Sequence, residues 1–241
     1  MAGIMSLTRD QIAKLYAQDG DDGPALGVQF CFDWSGTFMH NASKQFKAFL
    51  ELSARAGADP DLAAALWVCV TYMSGFVRGT GYQRVTAPFK DNQLPPGGGS
   101  PHCEMSDLAR EQNLKFLDDH PGSLLVDVWF ADGLTPEGPE VQEAAIARYR
   151  QMQSEKGTHC LVVALSESVN WDFLKKLSVH HEVVHCHDDN FAGLFELILG
   201  LLKGLAKNPK AIDGVKSLDR TEIAKLMNVS GAPAVLADDT N

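Results

Sequence analysis

Five oxygen-bearing side chains in three short stretches carry the chemistry that this sequence offers. Asp33, Ser35 and Thr37 stand at alternate positions in Asp33-Trp34-Ser35-Gly36-Thr37. Ser100 closes the run Gly97-Gly98-Gly99-Ser100, and Asp132 precedes Gly133. Two acids and three hydroxyls, with no sulfur or imidazole required, make a set of hard donors. Such a set suits Mg²⁺, Mn²⁺ or Ca²⁺ rather than zinc. Glycines around Ser100 let the backbone approach a ligand closely. The competing reading of the first stretch is a helix N-cap, because Ser and Thr ahead of an amphipathic run accept from free backbone N–H groups.

Elements that end in one place must bring these stretches together. Val28 to Phe32, after the breaker cluster Asp21-Asp22-Gly23-Pro24, reads as a buried strand running into Asp33. Leu124 to Phe130 (LLVDVWF) reads as a second buried strand and runs into Ala131-Asp132-Gly133. Further strand signals lie at Leu66 to Phe76, Arg84 to Phe89, His159 to Leu165 and Val183 to His185. Helical spacing marks Ala42 to Ala56, closed by Gly57, and then Ser106 to Leu117, Pro139 to Gln153, Trp171 to Ser178 and Phe191 to Leu205. This alternation predicts an α/β domain with a doubly wound, mainly parallel sheet and helices on both faces. Ligands of such sheets bind beyond the carboxyl ends of the strands, where Asp33 and Asp132 both stand.

D-x-S-x-T, a glycine-rich loop with a hydroxyl, and a strand ending in D-G-x-x-P resemble the von Willebrand factor A domain and its metal-ion-dependent adhesion site. The resemblance covers residues 26–207, with a shorter helical extension at each end (1–25 and 208–241). It is similar most of all to compact bacterial A-domain proteins associated with tellurium resistance and stress. By that resemblance Asp33, Ser35, Thr37, Ser100 and Asp132 hold Mg²⁺, or Mn²⁺ or Ca²⁺, and a Glu or Asp of a protein partner fills the open position. Thr37 and Ser100 each exchange one hydroxyl residue for another, while Ala131 stands where the family carries Thr. The function implied is recognition rather than turnover. The alternative is an A domain with a vestigial metal site, acting as a scaffold through its terminal helices.

Two enzymatic readings compete. His181-Glu182-Val183-Val184-His185 spells H-E-x-x-H, which binds zinc in peptidases when both histidines share one face of a helix. The strand signal at Val183 to His185 makes this motif a decoy, although His180, His187 and Asp188 enlarge the cluster. Phosphoryl transfer is disfavoured because no G-x-x-x-x-G-K-[ST] loop occurs and the Gly97 to Ser100 loop has no nearby lysine.

Composition narrows the partners. A formal charge of −10 over 241 residues argues against nucleic acid, which needs clustered Lys and Arg. The five cysteines include no C-x-x-C pair, and Cys31, Cys69 and Cys160 lie in apolar runs, a pattern of reducing compartments. No apolar stretch reaches the length of a membrane span, and the first residues lack a signal-peptide core. A cytoplasmic protein is expected. Ser6 to Tyr16 and Ser217 to Met227 agree at seven of eleven positions, which suggests paired accessory helices able to support self-association.

Overall fold

A computed structural model of the chain describes residues 25–36, 39–89, 98–165, 168–179, 183–185 and 191–207. Apart from Ala25, the terminal extensions expected over 1–25 and 208–241 lie outside these, as do Thr37, Gly97, His180, His181, Glu182, Cys186, His187 and Asp188.

The first central strand, β1 (Leu26–Asp33), is buried at every position. It pairs in parallel with β2 (Leu66–Met73) on one side and β5 (Leu124–Ala131) on the other, Phe30 aligning with Val70 and Val128. Outside β2 run the short antiparallel strands β3 (Val77–Gly79) and β4 (Gln83–Arg84). Outside β5 come β6 (His159–Ala164) and β7 (Val183–His185), both parallel. The order β3-β2-β1-β5-β6-β7, with β4 also on β2, makes a seven-stranded mixed sheet whose direction of winding reverses between β1 and β5. That reversal opens the crevice in which doubly wound sheets bind ligands.

Alternation along each strand assigns the two faces. Val28, Phe30 and Phe32 of β1 and Val126, Val128 and Phe130 of β5 point into one core, packed under α1 (Met39–Ala58), α2 (Pro60–Ala65) and α6 (Phe191–Lys207). This face is aromatic: the Phe32 and Phe130 rings stack at 5.1 Å, and Phe195 of α6 closes on Phe130 at 5.5 Å. Each such ring removed from water contributes roughly 1.5–3 kcal/mol. On the other face Cys31, Trp129 and Ala131 meet α3 (His102–Asp119), α4 (Pro139–Lys156) and α5 (Trp171–Leu177). Helices on both faces of a mainly parallel sheet match the expected architecture.

Several boundaries differ for local reasons. Helix α1 continues through Gly57 and ends at Asp59-Pro60, because proline disfavours the helical conformation at the residue before it. Asp59 then caps α2, accepting from the Asp61 and Leu62 amides. Strand β2 stops at Met73, short of Phe76, where the chain turns at Ser74-Gly75 into β3. The strand expected at Arg84 to Phe89 is a two-residue ladder ending at Arg84. Helix α3 begins at His102, earlier than the Ser106 start expected from periodicity.

Candidate metal centre

Backbone hydrogen bonds bring the loops together at the β1/β5 crevice. The Trp34 amide donates to the Met73 carbonyl at 2.9 Å, and the Trp34 indole donates to Gln45 Oε1 at 3.1 Å. Those two bonds and ring stacking on Phe32 fix the exit from β1. The Gly36 amide donates to the Gly98 carbonyl (3.2 Å) and the Gly75 amide to the Gly99 carbonyl (2.9 Å), lacing the glycine loop to both neighbouring strand ends. Gly98 has φ +98°, and a Cβ there would lie 2.7 Å from the Gly75 Cα, so no larger residue fits. On the far side the Asn170 amide donates to the Asp132 carbonyl at 2.8 Å, tying the third loop to the start of α5.

Into this junction project Asp33, Asp132 and a residue outside the sequence-based set, His102. One ligand atom from each lies within 4.8 Å of the others, and all three side chains are buried. Asp33 Oδ1 accepts from the Ser35 amide at 2.9 Å. Asp33 Oδ2 accepts from nothing and faces His102 Nε2 at 3.4 Å, an atom likewise without a hydrogen-bond partner. Asp132 Oδ1 accepts from the Leu134 amide at 2.8 Å. Each carboxylate thus spends an oxygen on its own loop, which pins the side chain.

Ser35 and Ser100 are buried in the first and second loops, and the Ser100 carbonyl accepts from both the amide and Nδ1 of His102. Thr37 lies outside the described residues. The structure therefore brings Asp33 and Asp132 together, sets Ser35 and Ser100 in adjoining loops, and adds His102. Pro101-His102, directly after Ser100, was the available signal; the reading of hard oxygens alone passed over it.

The donor set fits a cation. Asp33 Oδ2 and His102 Nε2 face each other without a hydrogen bond, beside a second carboxylate, and such orphaned groups cost about 1–3 kcal/mol each unless a ligand satisfies them. Of the H-E-x-x-H stretch, Val183–His185 forms β7, in register with Val162, Val163 and Ala164 of β6, while His181 and Glu182 lie outside the described residues.

Another buried acid behaves differently. Asp127, in the middle of β5, accepts two hydrogen bonds from Asn113 Nδ2, at 3.0 and 2.8 Å, and one from the Tyr149 hydroxyl. Burial pushes its carboxyl up to about 7, against the lowering effect of these donors. Cys31, Cys69 and Cys160 are thiols buried close by in the sheet, and burial pushes the Cys69 thiol up to about 12. They act as small core residues, as their apolar context suggested.

No family model and no curated protein sequence matches the chain. Solved structures do. A von Willebrand factor type A protein from Catenulispora acidiphila is similar over 76% of this chain and 43% of its own, with 16% identity and a TM-score of 0.55. Proximal thread matrix protein 1 from the mussel byssus, with a zinc-occupied MIDAS motif, aligns with 74% of this chain and 48% of its own at 12% identity and a TM-score of 0.56. The open conformation of the pilus adhesin SpaC from Lactobacillus rhamnosus GG aligns with 77% and 30%, at 9% identity and a TM-score of 0.57. The chain thus spans less than half the length of each of these proteins. At these identities the likeness shows the fold alone: the chain has the von Willebrand factor A fold.

Proposed function

We propose that the protein is a divalent-metal-dependent protein-interaction module, with Asp33, Ser35, Thr37, Ser100 and Asp132 holding the ion. The observation that carries this reading is the meeting of Asp33 Oδ2 and an Asp132 oxygen at a buried junction where Oδ2 has no internal partner. When bound, the ion supplies an electrophilic position that an acidic side chain of a partner can occupy. The chain itself orients the carboxylates through the Ser35 and Leu134 amides.

A docking rim supports recognition over turnover. Among the described residues the three exposed large apolar side chains are Phe76, Leu134 and Val141. All three lie on segments that leave this edge: the turn after β2, the loop after β5 and the first turn of α4. Apolar anchors around a polar centre are the usual composition of an interface core. No described helix is long and apolar enough to cross a membrane. The resemblance to bacterial A-domain proteins associated with tellurium resistance and stress, with the cysteine pattern read as that of a reducing compartment, gives a cytoplasmic setting to this proposal.

The test is capture of a partner from extract by immobilised full-length protein, with divalent ion or with chelator. Asp33→Ala and Asp132→Ala are expected to keep the fold and abolish metal-dependent capture, and chelation is expected to mimic them. Undiminished capture by both variants and by chelated protein would sink the mechanism. A loss of capture only on removing 1–25 and 208–241 would favour a scaffold acting through its ends.

A further inference from the structure

We propose that His102 is itself a ligand of the metal centre through Nε2, and that this nitrogen tilts the site toward zinc-class ions and away from Mg²⁺ and Ca²⁺. The inference rests on the metal-site reading above and specifies its ion.

The tautomer follows from its contacts. His102 Nδ1 lies 3.0 Å from the Ser100 carbonyl oxygen, which can only accept, so Nδ1 carries the proton. In the neutral ring Nε2 then presents a lone pair. This is the arrangement of metal-binding histidines, whose second nitrogen donates to a carbonyl or carboxylate that fixes the ring. The ring is buried and held edge-on to Phe173 at 5.3 Å between centroids, so it has one orientation.

Nε2 is aimed at Asp33 Oδ2, 3.4 Å away, and neither atom has a hydrogen-bond partner. Two lone pairs facing one another in a buried crevice repel unless a cation lies between them. The separation itself is informative. Donors about 2.05 Å from a shared ion stand about 3.3 Å apart at a tetrahedral angle, and about 2.9 Å apart at the right angle of an octahedral site. Ca²⁺, with bonds of about 2.4 Å, reaches about 3.4 Å at a right angle, so the 3.4 Å observed fits a zinc-class ion or Ca²⁺ and the nitrogen donor decides between them. Imidazole with carboxylate suits zinc and its neighbours, whereas Mg²⁺ and Ca²⁺ select oxygen and shed water reluctantly.

The test is direct metal titration of the full chain after chelator treatment, with Zn²⁺, Co²⁺ and Mg²⁺ as probes. It is run in a His181→Ala/His185→Ala background so that ions held by that stretch are not counted. Wild-type residues at the centre are expected to bind Zn²⁺ far more tightly than Mg²⁺, with Co²⁺ absorption bands showing nitrogen ligation. His102→Gln, which offers a carbonyl oxygen in place of Nε2, is expected to lose roughly 10–100-fold in Zn²⁺ affinity, while Mg²⁺ affinity changes much less. Unchanged Zn²⁺ affinity in His102→Gln, with binding still lost in Asp33→Ala, would overturn the role of His102 and leave the metal site standing. Zn²⁺ and Mg²⁺ binding that ignores both Asp33→Ala and Asp132→Ala would overturn the site as well. If His102→Gln fails to fold by circular dichroism, X-ray absorption of the Zn²⁺-loaded parent decides, since a shell of oxygen alone refutes the inference.

Discussion

Asp33 and Asp127 sit on adjacent strands, and both are fully buried, yet their surroundings have opposite character. Asp127 is enclosed by donors: Asn113 serves both oxygens, Tyr149 adds a hydroxyl that itself accepts from the Trp129 indole at 2.9 Å, and Tyr82 braces Asn113 at 2.8 Å. Asp33 receives one amide and turns its other oxygen toward an equally unpartnered imidazole nitrogen. A buried acid whose lone pairs are answered from within ties helices to a sheet. A buried acid left half answered keeps an oxygen turned toward the proposed ion. The contrast separates architecture from function on one face of one sheet.

The largest expected effect comes from pH acting on the enclosed acid. Burial raises the Asp127 carboxyl in the folded protein from an ordinary 3.8 to about 7. Between those values the folded state keeps a proton that the unfolded chain has lost, so stability falls as pH rises. The contribution is fully present below about pH 4, is lost by about pH 7, and amounts to roughly 4 kcal/mol. Urea unfolding across that range should show the decline in wild type and not in Asp127→Asn. A flat difference between the two would break the contrast at its strongest point.

Next comes Asn113→Leu, which strips two donors from Asp127 and should cost roughly 3 kcal/mol by the same measurement. Tyr149→Phe removes a single hydroxyl between Trp129 and Asp127, and a loss of about 1–2 kcal/mol is expected in the urea midpoint. The smallest effect should arise at the open acid. In chelator, Asp33→Asn keeps the oxygen that accepts from Ser35 and removes one of two close negative charges. Its stability should lie within about 1 kcal/mol of wild type or above it, as expected where stability has been given up for binding. A loss as large as that of Asn113→Leu would mean that Asp33, too, is structural.

Legibility in the sequence follows the range of the physics involved. Leu124 to Phe130 and Val28 to Phe32 announce buried strands because burial on both faces demands unbroken apolar character. With them came the doubly wound sheet and the placing of Asp33 and Asp132 at one edge. Asp127, inside the apolar run Leu124 to Phe130, gave no sign of its role: its partners Asn113 and Tyr149 lie on two different helices that only the fold brings near. His102 was hidden for a related reason. Two residues past Ser100, it falls between the glycine loop and the helix expected from Ser106, and only the lacing of that loop onto β1 and β2 turns it toward Asp33. Boundaries such as the end of β2 slipped because Ser74 and Gly75 are compatible with a strand locally, and the backward turn is fixed by pairing with β3.

The lacing of Gly36 to Gly98 and of Gly75 to Gly99 uses main-chain atoms alone. The spacing of the loops is therefore independent of the side chains they carry, and the pocket behaves as a socket whose contents can be exchanged. Over mutational time Ser100, His102 and their neighbours are free to drift from one ion chemistry to another without passing through an unfolded intermediate. Gly98 is not, because a single methyl group there would drive the second loop off the sheet. The frame of the proposed centre is thus set by its backbone, and the side chains placed in it are what would choose an ion.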